Sequence, residues 1–175
     1  MVKTSHPLSI KGIATIAKNF RRECGVPMDQ AFPILDVIDS FCDKGLLSMQ
    51  VLENDSEYLG SNRPALYNTV DNFIYIKEEV LEEVENGIYR SNFTLAHELF
   101  HYIQNQVFDL TFEEVESCKA SEDPEWQANE FAGELLLPSM YLSLSEEELV
   151  DRFHVSTECV LTRKVKQKKR KSLNK

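Results

Sequence analysis

Apolar residues recur at helical spacing from residue 9 to 24 and again from 29 to 44, and the runs stop at Gly25 and Gly45. The pattern predicts two amphipathic helices, the second starting late because of Pro33. Strand composition follows. Leu46 to Glu53, Ala65 to Val70 and Asn72 to Ile76 are rich in β-branched and aromatic residues around the turn signal Val-Asp-Asn, which predicts a small antiparallel sheet. Residues 78 to 86 form a short acidic helical stretch stopped by Gly87. Between 92 and 106 apolar residues fall at 95, 99 and 103 and at 93, 96 and 100, with no Gly or Pro. That is the pattern of a buried helix, with Ser91 or Asn92 as its cap. Residues 123 to 138 predict another, with Asp123 as N-cap, Pro124 at the first position and Pro138 at the stop. Ser145 to Glu148 is a capping-box start, and Leu149 to Phe153, then Val155-Ser156 and a helix from 157 to about 167, predict a helix-turn-helix-like pair. The class is α+β and mostly helical.

Length and charge shape this picture without changing it. The 175 residues fit one domain over 1–162, with the pair at 145–167 packed on it and a basic, flexible tail at 168–175. From Arg163 onward there are eight basic residues and no acidic one, which leaves 11 basic against 29 acidic residues before it. So acidic a body repels DNA, and direct DNA binding is not expected. The first residues lack the apolar stretch of a signal peptide, and no apolar run approaches ~20 residues, so the expectation is a cytoplasmic protein with no membrane association. Cys24, Cys42, Cys118 and Cys159 are scattered without CxxC spacing, as free thiols of a reducing compartment would be.

Chemistry concentrates in the string HELFH at 97 to 101. On a helix, residues four apart stand one above the other, so His97 and His101 can reach one cation. Glu98 sits beside that cation rather than on it, where its carboxylate can take a proton from water. Chance placement of such a motif in this composition has a probability of roughly one per cent. Confirmation needs a third ligand, because a catalytic zinc takes three protein ligands and keeps one position open.

The helix at 123 to 138 offers that ligand. One face carries Glu125, Ala128, Asn129, Ala132 and Leu136, and the small Ala128 and Ala132, with Gly133 beside them, allow close approach to the HELFH helix. Glu125 is the natural third ligand, and Asn129, one turn on, can hydrogen-bond a ligand histidine and fix its ring. Glu130 and Glu134 point elsewhere and read as solvated or weakly paired. The set of two imidazoles and a carboxylate suits zinc first and manganese as the alternative. An oxyanion also needs a donor. Tyr102, His154 and His6 have the chemistry, and spacing along the chain does not choose among them.

Phe93 to His101 together with Glu125 to Pro138 resemble the ImmA/IrrE family of metallopeptidases, which are zincin-like. The resemblance covers about residues 60 to 165. It implies that His97, His101 and Glu125, the last in an ExxAN segment, bind the metal and that Glu98 is the general base. It further implies an endopeptidase that cleaves a helix-turn-helix repressor, often encoded nearby on a mobile element or in a stress-response operon, and so relieves repression. The alternative is a catalytically inactive, protein-binding relative, such as a toxin–antitoxin partner, that retains the metal site. Many relatives carry Gly at the position of Phe100 and a basic residue at that of Asn92, two departures that bear on substrate fit. The sheet is expected beside the metal helix, where an edge strand can bind an extended substrate by strand addition.

Overall fold

The computed structural model describes residues 1–108 and 112–173. Helix α1 (Ile10–Glu23) starts where Ser9 Oγ accepts the backbone N–H of Gly12 at 3.1 Å. It ends at Gly25, whose φ of +71° lies in the left-handed region that a glycine adopts without strain. Helix α2 (Ile34–Asp43) begins directly after Pro33. Both helices turn their apolar stripe inward, and Ile13, Ala17, Ile34 and Ile38 are buried.

Strands β2 (Ser48–Leu52), β3 (Ala65–Asn68) and β4 (Phe73–Lys77) form a sheet of order β2-β4-β3, after a short first strand, β1 (Val2–Thr4). Strands β3 and β4 are an antiparallel hairpin. Asn68 Oδ1 and Asp71 Oδ1 accept the N–H groups of Val70 and Phe73 in its turn. Strand β2, however, runs parallel to β4, from Ser48 opposite Phe73 to Leu52 opposite Lys77. The sheet is therefore mixed rather than wholly antiparallel. The connection from 53 to 72, which contains β3, is long enough for the chain to cross over and return between its neighbours. Strand β5 (Phe112–Glu114) pairs antiparallel with β1. Neither was predicted, since three residues are too few to show a period.

Helix α3 (Glu78–Glu85) leads into α4 (Arg90–Tyr102), which carries HELFH. Helix α4 starts earlier than the expected cap. Ser91 lies inside its first turn, buried, with its hydroxyl donating to Glu83. A π-helical segment, Ile103–Val107, continues α4, and the Phe108 N–H reaches back to the Ile103 carbonyl at 3.2 Å. Helix α5 (Pro124–Leu136) begins as its sequence implies, with the Asp123 carboxylate accepting the Glu125 N–H at 3.0 Å. Helices α4 and α5 form the centre of the molecule. Ala96 and Leu99 on one and Ala128, Phe131 and Ala132 on the other are fully buried, and the rings of Phe100 and Phe131 stack with centroids 4.4 Å apart.

Helices α6 (Glu146–Phe153) and α7 (Thr157–Leu173) close the fold. The capping box forms: Ser145 Oγ accepts the Glu148 N–H, and the Glu148 carboxylate accepts the Ser145 N–H. Leu149, Phe153, Val155 and Val160 are buried in the main core. Helix α7 runs on through 168–173, where a flexible tail was expected; residues 174 and 175 lie outside the described residues. The reason is on α5. Glu130, only 3% exposed, takes Lys166 at 2.7 Å and Arg170 at 2.8 Å, and Glu134 takes Arg163. These acids are thus ion-pair partners with buried or part-buried side chains, rather than the solvated or weakly paired groups expected. Gly133 has a further task that its sequence did not announce. A Cβ there would lie 2.7 Å from Arg163 Nη1, so its bare backbone makes room for that guanidinium. Among the described residues no helix is long and apolar enough to cross a membrane.

Candidate metal centre

One turn of α4 separates His97 from His101, and the first turn of α5 brings Glu125 against both. His101 Nε2 is 3.0 Å from His97 Nε2, His97 Nε2 is 3.2 Å from Glu125 Oε2, and His101 Nε2 is 3.3 Å from Glu125 Oε1. Among the described residues this is the group of three that could hold a metal ion. Its spacing fits one. Ligand atoms at about 2.0–2.1 Å from a tetrahedral zinc lie about 3.3 Å from each other. Two imidazole nitrogens and a carboxylate oxygen drawn to that spacing are the donor set zinc accepts.

The three residues sit in different surroundings. The histidine side chains are 16% and 18% exposed, whereas that of Glu125 is 67% exposed, so the group opens to solvent on the α5 side. Hydrogen bonds from His101 and His97 hold the Glu125 carboxyl well below the usual carboxylate range. For His101, burial works against the charged ring, but Glu125 and the charge of Glu98 outweigh it and raise its pKa. The other ring nitrogens face amide oxygens: Nδ1 of His97 is 3.3 Å from Asn129 Oδ1, and Nδ1 of His101 is 2.8 Å from Gln104 Oε1.

Glu98 is buried beside the pair. Its Oε2 accepts the backbone N–H of Tyr67, on β3, at 2.7 Å. Among the described residues no donor engages its other oxygen. Strand β3 and helices α4 and α5 thus wall a cleft of about 530 Å³, with His97, His101, Glu98 and Glu125 on one side and Ala65 to Tyr67 on the other. A second cavity, about 250 Å³, adjoins it through Phe93, Thr94 and Asn129 and reaches between α5 and α7 to Gly133 and Cys159.

Other sequence expectations end elsewhere. Tyr102 is buried, edge-on to Phe41 and Tyr67. His154 stacks on Tyr89, and His6 lies at a surface turn; none of these three lines the cleft. Besides Asn129 and the four residues named above, Asn62, Arg63, Thr69 and Thr94 bring polar side chains to its lining. Phe100 packs on Phe131 and Asn92 donates to the His154 carbonyl, so neither departure from the family pattern lines the cleft. Gln104 and the Tyr67 backbone were missed. Gln104 follows His101 by three, a spacing visible in the sequence, but a backbone donor from a strand 31 residues away leaves no mark there.

A family model, that of the IrrE N-terminal-like domain, a peptidase family, matches residues 65–164, a span holding β3, β4 and His97, Glu98, His101 and Glu125. A solved structure, that of a Mycobacterium tuberculosis transcriptional regulator, is similar in fold. It shares 20% identity at a TM-score of 0.57 over 86% of this chain and 54% of that one. This chain therefore spans about half the length of that regulator, 54% of it. No curated protein sequence matches the chain.

Proposed function

The chain belongs to the IrrE N-terminal-like domain family of metallopeptidases, and on that premise we propose that it is a zinc-dependent endopeptidase acting on a protein substrate. The observation that carries this reading is the approach of three donor atoms to within 3.0–3.3 Å of each other beside a buried carboxylate, in an open cleft edged by a strand. Zinc held by His97, His101 and Glu125 would supply a Lewis acid that polarises a scissile carbonyl and acidifies water.

The chain's own residues do the rest. Glu98, clamped through Oε2 by Tyr67, keeps its other oxygen to take a proton from the attacking water and return it to the leaving amine. Strand β3 supplies the docking edge. The Lys77 N–H bonds the Pro64 carbonyl, so by antiparallel alternation the hydrogen-bonded pairs are 64 with 77, 66 with 75 and 68 with 73. The N–H and carbonyl of Ala65 and the carbonyl of Tyr67 then point away from β4, toward the cleft, while the Tyr67 N–H stays with Glu98. A substrate segment laid there extends the sheet, and the adjoining 250 Å³ cavity receives one of its side chains. The substrate we propose is a repressor of the helix-turn-helix type, cut to relieve repression. The family resemblance supports that class.

Co-expression of the chain with a helix-turn-helix repressor encoded beside it tests the reading. The expected result is a zinc-dependent cut in the repressor, abolished by a chelator and restored by zinc. An uncut repressor with a zinc-loaded chain would favour the alternative of a binding module.

A further inference from the structure

The Nδ1 atom of His101 faces the side-chain amide of Gln104, and the way that amide points decides which ring nitrogen is free to ligate. Gln104 Oε1 lies 2.8 Å from His101 Nδ1. Its Nε2 donates to Gln127 Oε1 at 2.8 Å and to the Pro124 carbonyl at 3.4 Å. Gln127 in turn donates through Nε2 to the carbonyls of Ser121 at 2.8 Å and His6 at 3.1 Å. Both glutamines are fully buried.

A buried amide takes the orientation its partners permit. Backbone carbonyls only accept, so Gln127 must turn its Nε2 to Ser121 and His6 and its oxygen to Gln104. Gln104 must then give its Nε2 to Gln127 and Pro124 and its oxygen to His101. An oxygen that only accepts requires the hydrogen on His101 Nδ1, which leaves the lone pair of the neutral ring on Nε2. Reversal at either glutamine would set oxygen against oxygen in the interior.

We propose that Gln104 and Gln127 are positioning residues. They form a directional amide relay through which the carbonyls of Ser121, His6 and Pro124 fix the Nδ1–H tautomer of His101 and present its Nε2 to the point where His97 and Glu125 meet. Helix α5 thereby contributes Glu125 to the group and, two residues on, the anchor of the relay. For His97 the exposed amide of Asn129, at 3.3 Å, has no such buried chain behind it among the described residues. The purpose of the relay rests on the metal-centre reading; in the metal-free chain the relay acts against the Glu125 carboxylate, 3.3 Å from His101 Nε2, which draws the hydrogen to that nitrogen.

Nitrogen-15 NMR of the metal-free protein at about pH 9, where neutral imidazole dominates, reads the tautomer directly. His101 is expected to carry its hydrogen on Nδ1. Gln127→Leu touches none of the three candidate donors. It is expected to move His101 toward the Nε2–H form and to weaken zinc binding about 10-fold against a competing chelator, with the His97 signals unchanged. Gln127→Met, closer in volume, serves where the leucine variant does not fold. A wild-type His101 protonated at Nε2 overturns the proposal, and so does a folded variant in which tautomer or zinc affinity stays at the wild-type value. A wild-type chain that holds the Nδ1–H form but binds no zinc would sink the metal reading and leave the relay standing.

Discussion

The backbone N–H of Tyr67 donates to Oε2 of Glu98 across 2.7 Å, tying the free edge of β3 to the buried acid of α4. One bond thus aligns the strand we assign to substrate with the carboxylate we assign to proton transfer. It also separates two substitutions at Glu98. Gln keeps an oxygen for the Tyr67 N–H, whereas Ala leaves a buried donor unmet, a loss of about 1–3 kcal/mol. Urea unfolding should therefore find Glu98→Ala less stable than Glu98→Gln by that order. Equal stabilities would mean that the bond contributes nothing.

Zinc affinity should fall as the pH is lowered, because ligation needs neutral imidazoles. The direction at His101 sets where this begins. Its raised pKa means that protons compete from above the ordinary imidazole value of about 6.5. In the metal-free chain the same group works in the opposite sense. His101 contributes stability that is present below about pH 6.5 and lost as the pH rises through its raised pKa, while Glu125, depressed, contributes above about pH 4.3 and loses it on acidification. Competitive zinc titrations from about pH 6 to 8 check the first statement, and a flat profile would contradict it.

Glu125→Ala should reduce zinc affinity by more than the roughly 10–100-fold that loss of an outer partner brings, and Asn129→Ala should fall within that range. Metal analysis after dialysis against a weak chelator distinguishes the two. Full occupancy in Glu125→Ala would move the third ligand to another residue.

Glu130→Gln should destabilise the fold by roughly 2 kcal/mol, since it unpairs Lys166 and Arg170 together and releases the end of α7. Thermal unfolding checks this. No change would make the pairs incidental.

These interior pairs also mark how far the sequence could be read. Helices α1, α5 and α6 follow from a polar cap at the start and apolar spacing after it, and HELFH with Glu125 pointed to the group that the fold assembles. What the sequence hid depends on contacts between distant segments. The pairing of β1 with β5 and the parallel course of β2 are long-range choices with no local signature. The basic stretch looked like a solvated tail because charge alone does not reveal an acid on another helix. Yet Arg163, Lys166 and Arg170 fall at helical spacing, and Glu130 and Glu134 lie four apart on α5, so the match was there to find.

Arg21 is the same lesson within the core. It is fully buried, with its guanidinium donating to the carbonyls of Leu135, Pro27 and Gln30, and burial lowers its pKa to about 10. Nothing in the apolar pattern of α1 marks it as the clamp between the 27–30 loop and the end of α5.

The most direct measurement pairs zinc content with cleavage in Glu98→Gln. The expected result is a folded variant with the wild-type complement of zinc whose cleavage of the co-expressed repressor falls by about 10²-fold or more, the scale of lost general-base catalysis. Cleavage at the wild-type rate by zinc-loaded Glu98→Gln would contradict the assignment of Glu98 and the mechanism with it.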